Sequence, residues 1–308
     1  GTITRAPLSA SLVSTITKVY DGYNTASNLT TSNYSLSGLI LSELPTISKT
    51  SGTYASKDVS GNEAAQNVSV TLASGDFTEA AGFLKNNYTL PTTATGVIGT
   101  ITRHSLSTGL TSTITKVYDG DATAANLGTS NYSVTGYVLS ELPTVSKTTG
   151  TYDSKNVNGA ELAQNVTVSL ASTDFAEVSG FIRNNYNTPT TATGVIGTIT
   201  RAPLSASLVS TITKVYDGYN TASNLTNSNY SLTGLVLSEL PTISKTSGVY
   251  DSKNVNGAEL AQNVSVTLAS GDFTEAAGFL KNNYTLPTTA TGVIGTITRA
   301  PLSASLVS

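Results

Sequence analysis

The chain is 308 residues long, carries a formal net charge of −3 and contains no cysteine. Only 11% of its residues are charged and no basic run occurs, so it lacks the positive stripe of a nucleic-acid-binding protein. The missing cysteines exclude disulfides, thiolate metal ligands and cysteine nucleophiles. No apolar run approaches the roughly 20 residues of a membrane helix, so we expect no membrane span.

An internal repeat decides the architecture. The motif GTITR at residues 1–5 recurs at residues 99–103, 197–201 and 295–299, in steps of 98 residues. We therefore expect three modules within a longer array that continues beyond this chain. The predicted segments are the end of a preceding repeat at 1–5, modules at 6–103, 104–201 and 202–299, and the start of a fourth repeat at 300–308.

In chain order, alternating or β-branched residues predict strands in the first module. These strands are expected at residues 8–12, 15–20, 34–41, 67–72, 87–90 and 96–102. In the clearest of them, Val68, Val70 and Leu72 alternate with Ser69 and Thr71, which predicts one buried and one exposed face. One or two helical turns are expected within residues 76–84.

The strand count predicts an all-β fold, with each module an antiparallel, immunoglobulin-like sandwich. No Gly/Ser-rich or charged linker separates the modules. The last strand is expected to end at residue 102, and the next module's first strand to begin near Leu106. Such short connections predict that the modules form an extended, stiff rod.

Catalysis is not expected from this composition. The one histidine, His104, occurs only in the middle copy, at a junction between modules. A Ser-His-Asp arrangement needs that residue, and no Gly-x-Ser-x-Gly turn accompanies any serine. The sequence therefore predicts a protein that is not an enzyme and has no cofactor, with calcium as the alternative.

Two turns carry several oxygen-bearing side chains before a glycine, as calcium ligands require. The candidate ligands are Asp153, Asn156 and Asn158 in the middle copy and Asp251, Asn254 and Asn256 in the third. The first copy has Ala55 in place of the aspartate. An ordinary polar turn explains the same residues.

Covalent modification is a further hypothesis. Lys18, Glu43 and Asn67 are the ingredients of a Lys–Asn isopeptide cross-link, although an exposed edge-strand lysine is the simpler interpretation. Asn-x-Ser/Thr triplets are also abundant, as chance provides in a chain of this composition. They begin at Asn28, Asn33, Asn67, Asn87, Asn131, Asn165, Asn224, Asn229, Asn263 and Asn283.

Two tyrosine motifs recur and are expected to be structural, each with a packed ring and a hydrogen-bonded hydroxyl. The Tyr-Asp-Gly motif comprises Tyr20, Asp21, Gly22, Tyr118, Asp119, Gly120, Tyr216, Asp217 and Gly218. The Asn-Asn-Tyr motif contributes Tyr88, Tyr186 and Tyr284. The glycine supplies the positive φ of a tight turn.

The run Ile-Thr-Lys-Val-Tyr-Asp-Gly, followed by Asn-Tyr-Thr-Leu and a closing Gly-Thr-Ile-Thr, resembles the YDG-type repeat modules of large, filamentous-haemagglutinin-like bacterial adhesins. The middle copy departs at residues 185–188, where only Tyr186 carries over. The resemblance implies an exported adhesin or fibre at the cell surface or outside the cell, with an outer-membrane transporter as a possible partner. It brings no catalytic residues.

Two functions remain open. The leading hypothesis is a structural stalk or filament segment, whose partners are neighbouring repeats or copies of itself. The alternative is an adhesive module that recognises a glycan or a host-surface protein. That alternative calls for exposed aromatics in every copy, but Tyr23 and Tyr219 correspond to Asp121 in the middle copy.

Two strand arrangements are open for the last residues of the sequence. Residues 295–308 copy residues 1–14. In one account residues 295–298 complete the third module within the same chain. In the other, a terminal segment of one chain completes the sheet of the next, since an open strand edge recruits further strands.

Overall fold

The computed structural model describes residues 1–80, 82–178, 180–276 and 278–306. Of these residues, 41% lie in strands, and no helix among them reaches seven residues. The predicted all-β fold class is therefore confirmed. None of the helices in these ranges is long and apolar enough to span a membrane.

Within the described residues, each copy contributes eleven strands, most of them short. In the first copy they are β1 Ala6–Pro7, β2 Ser9–Leu12, β3 Ile16–Val19, β4 Thr25–Ala26, β5 Tyr34–Ser37, β6 Thr46–Ile47, β7 Gly52–Tyr54, β8 Gln66–Thr71, β9 Phe77–Thr78, β10 Tyr88–Thr89 and β11 Thr93–Thr102. The second copy has β12 His104–Ser105, β13 Ser107–Leu110, β14 Ile114–Val117, β15 Thr123–Ala124, β16 Tyr132–Thr135, β17 Thr144–Val145, β18 Gly150–Tyr152, β19 Gln164–Ser169, β20 Phe175–Ala176, β21 Tyr186–Asn187 and β22 Thr191–Thr200. The third copy has β23 Ala202–Pro203, β24 Ser205–Leu208, β25 Ile212–Val215, β26 Thr221–Ala222, β27 Tyr230–Thr233, β28 Thr242–Ile243, β29 Gly248–Tyr250, β30 Gln262–Thr267, β31 Phe273–Thr274, β32 Tyr284–Thr285 and β33 Thr289–Thr298.

Helical structure in the described ranges is limited to three-residue 3-10 turns. They span Thr31–Asn33, Ser74–Asp76, Lys85–Asn87, Thr129–Asn131, Ser172–Asp174, Arg183–Asn185, Asn227–Asn229, Ser270–Asp272 and Lys281–Asn283. The helical turns expected within residues 76–84 are therefore misplaced: Asp76 ends a turn, and its carboxylate accepts a bond from the Ala73 amide (2.8 Å). Strand β9 follows directly, and residue 81 lies outside the described ranges.

The last strand of a copy organises its main sheet. In the first copy the strand order is β4-β7-β8-β11-β2-β5, and β3 also pairs with β11. Strand β11 is antiparallel to β8 but parallel to β2 and β3. The third copy repeats this order around β33. The sheets are thus mixed, which corrects the expectation of purely antiparallel pairing. The alternation of apolar and polar residues indicates which face of a strand is buried, but it contains no information on whether neighbouring strands are parallel or antiparallel.

The predicted register of β8 is confirmed. Val68 and Val70 are fully buried, whereas Ser69 and Thr71 on the alternate positions are exposed. Strand β11 lies beside β8 in the sheet, and their register shifts at a bulge between Val97 and Gly99. An added methyl group at Gly99 would clash with the ring of Tyr54 and with Val68, so close packing requires glycine there.

The end of the sequence pairs within its own copy. Gly295 to Thr298 lie in β33, in register with Ile212 to Val215 of β25. The structure therefore has the first of the two arrangements considered for this segment.

The chain divides into two compact units that do not follow the repeat boundaries. The first unit comprises Gly1–Leu110, Gly128–Thr148 and Val168–Thr193, and the second comprises Thr111–Leu127, Thr149–Thr167 and Gly194–Ser308. Each unit holds one terminal copy together with part of the middle copy. A junction between consecutive copies therefore lies inside each unit.

The β8 register generates a stability prediction. Val70→Ala removes buried methyl groups and leaves a cavity, so we expect the free energy of unfolding to fall by about 1–3 kcal/mol. Ser69→Ala, on the exposed face of the same strand, should change it by less than about 0.5 kcal/mol. Urea titration followed by circular dichroism measures both variants. Equal losses would show that the assigned register is incorrect.

Candidate functional site at the repeat junctions

In the first unit, a buried carboxylate joins two copies. The Tyr20 hydroxyl of the first copy donates to Glu141 Oε1 and Oε2 of the second copy, at 2.8 and 3.0 Å. The Tyr186 hydroxyl, also of the second copy, donates to Glu141 Oε2 at 2.7 Å. These three residues are only 1–6% exposed. The glutamate is thus held between one tyrosine of each copy.

Local structure sets the position of each member. Tyr20 follows β3 directly, and its amide donates to the carbonyl of Thr102 (2.8 Å). Tyr186 begins β21, and its ring stacks on Phe181 with centroids 4.8 Å apart. The Tyr20 and Tyr186 rings meet edge to face at 5.5 Å, which is a favourable aromatic geometry.

The electrostatics of the cluster favour neutral tyrosines. Burial, and then the hydrogen bond to Glu141, raise the pKa of Tyr20 and of Tyr186 above the ordinary value. Both hydroxyls therefore remain protonated donors. The Lys57 ammonium lies 3.5 Å from Glu141 Oε1 and provides a partly exposed counter-charge. Together these contacts compensate the desolvation of the carboxylate.

Two asparagines of the second copy bind the backbone of the first. The Val59 amide donates to Asn185 Oδ1 (2.8 Å), and Asn184 Nδ2 donates to the Val59 carbonyl (2.8 Å). Asn185 Nδ2 also donates to Asp58 Oδ1 (2.8 Å). Asn185 is fully buried. Both backbone groups of Val59 are therefore satisfied by the neighbouring copy, as burial requires.

Arg103, the single residue between β11 and β12, reinforces the junction. Its Nη2 donates to the carbonyl of Gly61 (3.1 Å) in the first copy and to Asn184 Oδ1 (2.9 Å) in the second. Its amide donates to Glu63 Oε1 (2.9 Å). The connecting residue is thus bonded to both copies.

The second unit contains the same arrangement between the middle and third copies. Tyr118 and Tyr284 donate to Glu239 at 2.5 and 2.6 Å. Burial, and then the bond to Glu239, raise the pKa of Tyr118 to about 12. The asparagine and arginine contacts also recur. Asn283 Oδ1 accepts from the Val157 amide (2.9 Å), Asn282 Nδ2 donates to the Val157 carbonyl (2.9 Å), and Arg201 Nη2 donates to Asn282 Oδ1 (2.9 Å).

The predicted Tyr-Asp-Gly residues have separate roles at a junction. Asp21 Oδ1 closes the turn by accepting from the Lys18 ammonium (2.6 Å) and the Tyr23 amide (3.0 Å). Gly22 has φ 81° and packs against Leu139 of the next copy, 2.7 Å from where a Cβ would lie. A larger residue there would be strained and would also displace that leucine.

The counterparts outside the two junctions are less buried. Tyr216, in the third copy, is 39% exposed, whereas Tyr118 is 2% exposed. Glu43 is half-buried and accepts a bond from Tyr88 of its own copy. Burial of this motif therefore depends on a neighbouring copy, which accounts for the difference among the three Tyr-Asp-Gly tyrosines.

The structure assigns hydrogen bonds to several candidate calcium ligands. Asp153 and Asp251 accept from Asn165 and Asn263, and Asn158 and Asn256 donate to the carbonyls of Ala163 and Ala261. Asn156 Oδ1 accepts from Asn283 (3.0 Å), whereas its counterpart Asn254 is exposed. Within the described ranges, no three His, Cys, Asp or Glu residues are grouped as metal ligands. Calcium binding stays a prediction.

The other singled-out residues occupy separate places. His104 Nδ1 lies 3.1 Å from the Tyr20 carbonyl oxygen, beside the first junction. Lys18 binds Asp21, and Glu43 binds Tyr88, so each of these two cross-link candidates has its own partner. Tyr23 is 57% exposed and Tyr219 72%.

Sequence reasoning singled out this glutamate position only as Glu43, an ingredient of a cross-link, and missed that its counterparts accept hydrogen bonds from tyrosines of two copies. Glu141 and Glu239 lie 121 residues after the tyrosines Tyr20 and Tyr118 that bind them, too far apart for local pattern to connect. The available signal was the Asn-Asn pair preceding each of Tyr186 and Tyr284, which places two side-chain amides at one junction.

These features define a class of protein: a tandem array of all-β modules whose consecutive copies share buried polar contacts. The family model for the YDG domain matches residues 4–96, 102–193 and 200–292. The chain therefore belongs to the YDG domain family, as its resemblance predicted. Neither a curated protein nor a solved structure matches it.

Glu141→Gln should weaken the first junction. Glutamine places an NH₂ group, which accepts no hydrogen bond, where Oε1 accepts from Tyr20, and it removes the negative charge that strengthens both tyrosine bonds and attracts the Lys57 ammonium. We expect a loss of about 1–3 kcal/mol, measured by urea unfolding. Glu43→Gln is the matched control because Glu43 accepts from Tyr88 of its own copy. Losses of equal size would contradict the role of the inter-copy tyrosine.

Alkaline pH should destabilise the second junction. An unfolded tyrosine ionises near pH 10, whereas folded Tyr118 has a pKa raised to about 12. Its contribution to stability is complete below about pH 10 and is lost as pH rises from there through the folded pKa, because only the unfolded state releases its proton there. Urea midpoints measured from pH 8 to 11.5 test this. In Tyr118→Phe the decline should be shallower, and an unchanged slope would argue against the assignment.

Proposed function

We propose that each copy is a spacer module in a structural stalk or filament of an exported bacterial surface protein. The observation that carries this proposal is the repeated junction, in which a buried glutamate binds a tyrosine from each of two copies. Such a junction restrains the angle between consecutive modules. Length and stiffness outside the cell are then the functions of the array.

The restraint comes from contacts in different directions. A hinge movement at the first junction must break the bonds of Glu141, the bonds of Asn185 and the bridge through Arg103. Each buried polar group that loses its partner costs about 1–3 kcal/mol. Only one residue separates β11 from β12, which leaves little free chain for independent motion.

The finer features belong to the same proposal. We infer that the modules are immunoglobulin-like sandwiches arranged as an extended rod. The resemblance to filamentous-haemagglutinin-like adhesins supports export, a surface location and passage through an outer-membrane transporter. The small fraction of charged residues and the absence of cysteine are compatible with that route.

Adhesion to a glycan or a host protein is the alternative hypothesis. The exposed rings of Tyr23 and Tyr219 favour it in the first and third copies. The middle copy has Asp121 at this position, so a repeated aromatic platform does not support it there. The stalk function relies on contacts present at both junctions and is preferred for that reason.

Small-angle scattering tests the proposed rod. A 100-residue domain has a radius of gyration near 13 Å, so three elongated modules in line should reach roughly 100–130 Å. The double variant Asn184→Ala and Asn185→Ala should broaden the distribution of dimensions because it loosens the first junction. Asn86→Ala with Asn87→Ala changes the matching positions of the first copy and is the control. A compact wild-type particle would refute the rod.

A further inference from the structure

The third strand and the last strand of each copy are parallel neighbours. In the third copy, Ile212, Lys214 and Val215 of β25 pair in register with Gly295, Ile297 and Thr298 of β33. Strand β24, just ahead of β25, also pairs in parallel with β33 at Ser207. Two strands near the start of the module, β24 and β25, therefore lie beside the strand through which the chain leaves, and all three run in the same direction.

This topology determines how the module carries tension. A pull on both chain ends draws β24 and β25 backward, toward their amino ends, and the last strand, β33, forward, toward its carboxyl end. Parallel neighbours then slide past each other along their length, and all hydrogen bonds of their ladder are loaded together. A pull applied at the same end of both strands would instead break these bonds one after another.

We propose that the ladder between the last strand of each copy and its parallel partner β3, β14 or β25 is a shear clamp, which makes each copy a tension-bearing element. The biological use of the clamp rests on the proposed stalk function. Its resistance to force in one pulling direction is a property of the single module and does not depend on that function. Forced unfolding depends on the barrier to unfolding and not on equilibrium stability. A clamp that must fail as a whole raises that barrier in one direction of pulling.

Several contacts add to the resistance of this ladder in the third copy. The Tyr216 amide donates to the Thr298 carbonyl (2.9 Å), and Thr298 Oγ1 donates to the Lys214 carbonyl (3.3 Å). Ile297 is fully buried, so sliding of β33 would also extract a core side chain. On its other edge, β33 pairs with β30 over six positions.

The other two copies have the same register. Ile16 pairs with Gly99 in the first copy, and Ile114 pairs with Gly197 in the second. The ladder is therefore a property of the repeated sequence, and an array would place such clamps in series. Each would experience the full tension transmitted along the chain.

Pulling the same copy in two directions tests the proposal. The chain contains no cysteine, so engineered cysteines provide unique handles. Ser205→Cys with Ala300→Cys loads the β24–β25 segment and β33 in shear. Tyr219→Cys with Ala300→Cys applies force just beyond the same ends of β25 and β33, and should peel them apart. All three positions are exposed.

At one loading rate, the first pair of handles should require a rupture force several-fold higher than the second, measured by single-molecule force spectroscopy. Matching urea midpoints of the two variants would confirm that only direction differs. If Ser205→Cys disturbs folding, Pro203→Cys supplies the same shear direction from an exposed position. Equal rupture forces would overturn the clamp while leaving the scattering test of the stalk unaffected.

Discussion

The glutamate buried between two tyrosines is the interaction on which the junctions depend. A carboxylate shielded from water is costly unless it accepts hydrogen bonds, and at Glu141 one necessary donor, Tyr20, belongs to the neighbouring copy. Without that donor the carboxylate would remain buried with an unsatisfied acceptor. The tyrosine hydroxyls and the asparagine amides around Val59 are buried as well, so they also need partners from the neighbouring copy. Buried donors and acceptors on two copies can be satisfied only when particular surfaces face each other, so they specify which surfaces meet. Apolar packing alone would be less selective.

Part of this structure was readable from the sequence. The alternation at Val68 and Val70 predicted the buried face of β8, and the 98-residue period predicted a tandem repeat, which the three matches to the family model confirm. Short strands such as β4 and β9 were not predicted, because two residues are too few to show an alternation of apolar and polar side chains. They exist through pairing with a neighbour distant in sequence, a tertiary effect that outweighs local propensity.

The candidate site was harder to predict because its members are scattered. The tyrosines were identified as structural residues, whereas the glutamate position was considered only as a cross-link ingredient, Glu43, with no link to the tyrosines. Glu141 becomes distinctive only when folding brings Tyr20 and Tyr186 to either side of it. Residues bearing oxygen in a turn, such as Asn156, suggested a cation by composition, yet this side chain accepts a bond from Asn283 of the next copy. Local composition could not reveal that a second copy supplies the partner.

Strand direction links the junction to the rest of the fold. Because β3 and β11 are parallel, their carboxyl ends coincide, with Val19 in register with Thr102. The Tyr-Asp-Gly turn that follows β3 therefore lies beside the point where the chain leaves for the next copy, and His104 Nδ1 lies within 3.1 Å of the Tyr20 carbonyl oxygen. An antiparallel pairing of the same two strands would have placed this turn at the opposite end of β11, away from the exit. The sequence predicted antiparallel pairing, but the parallel pairing of β3 with β11 is the reason that Tyr20, near the start of one copy, can bind a glutamate of the next.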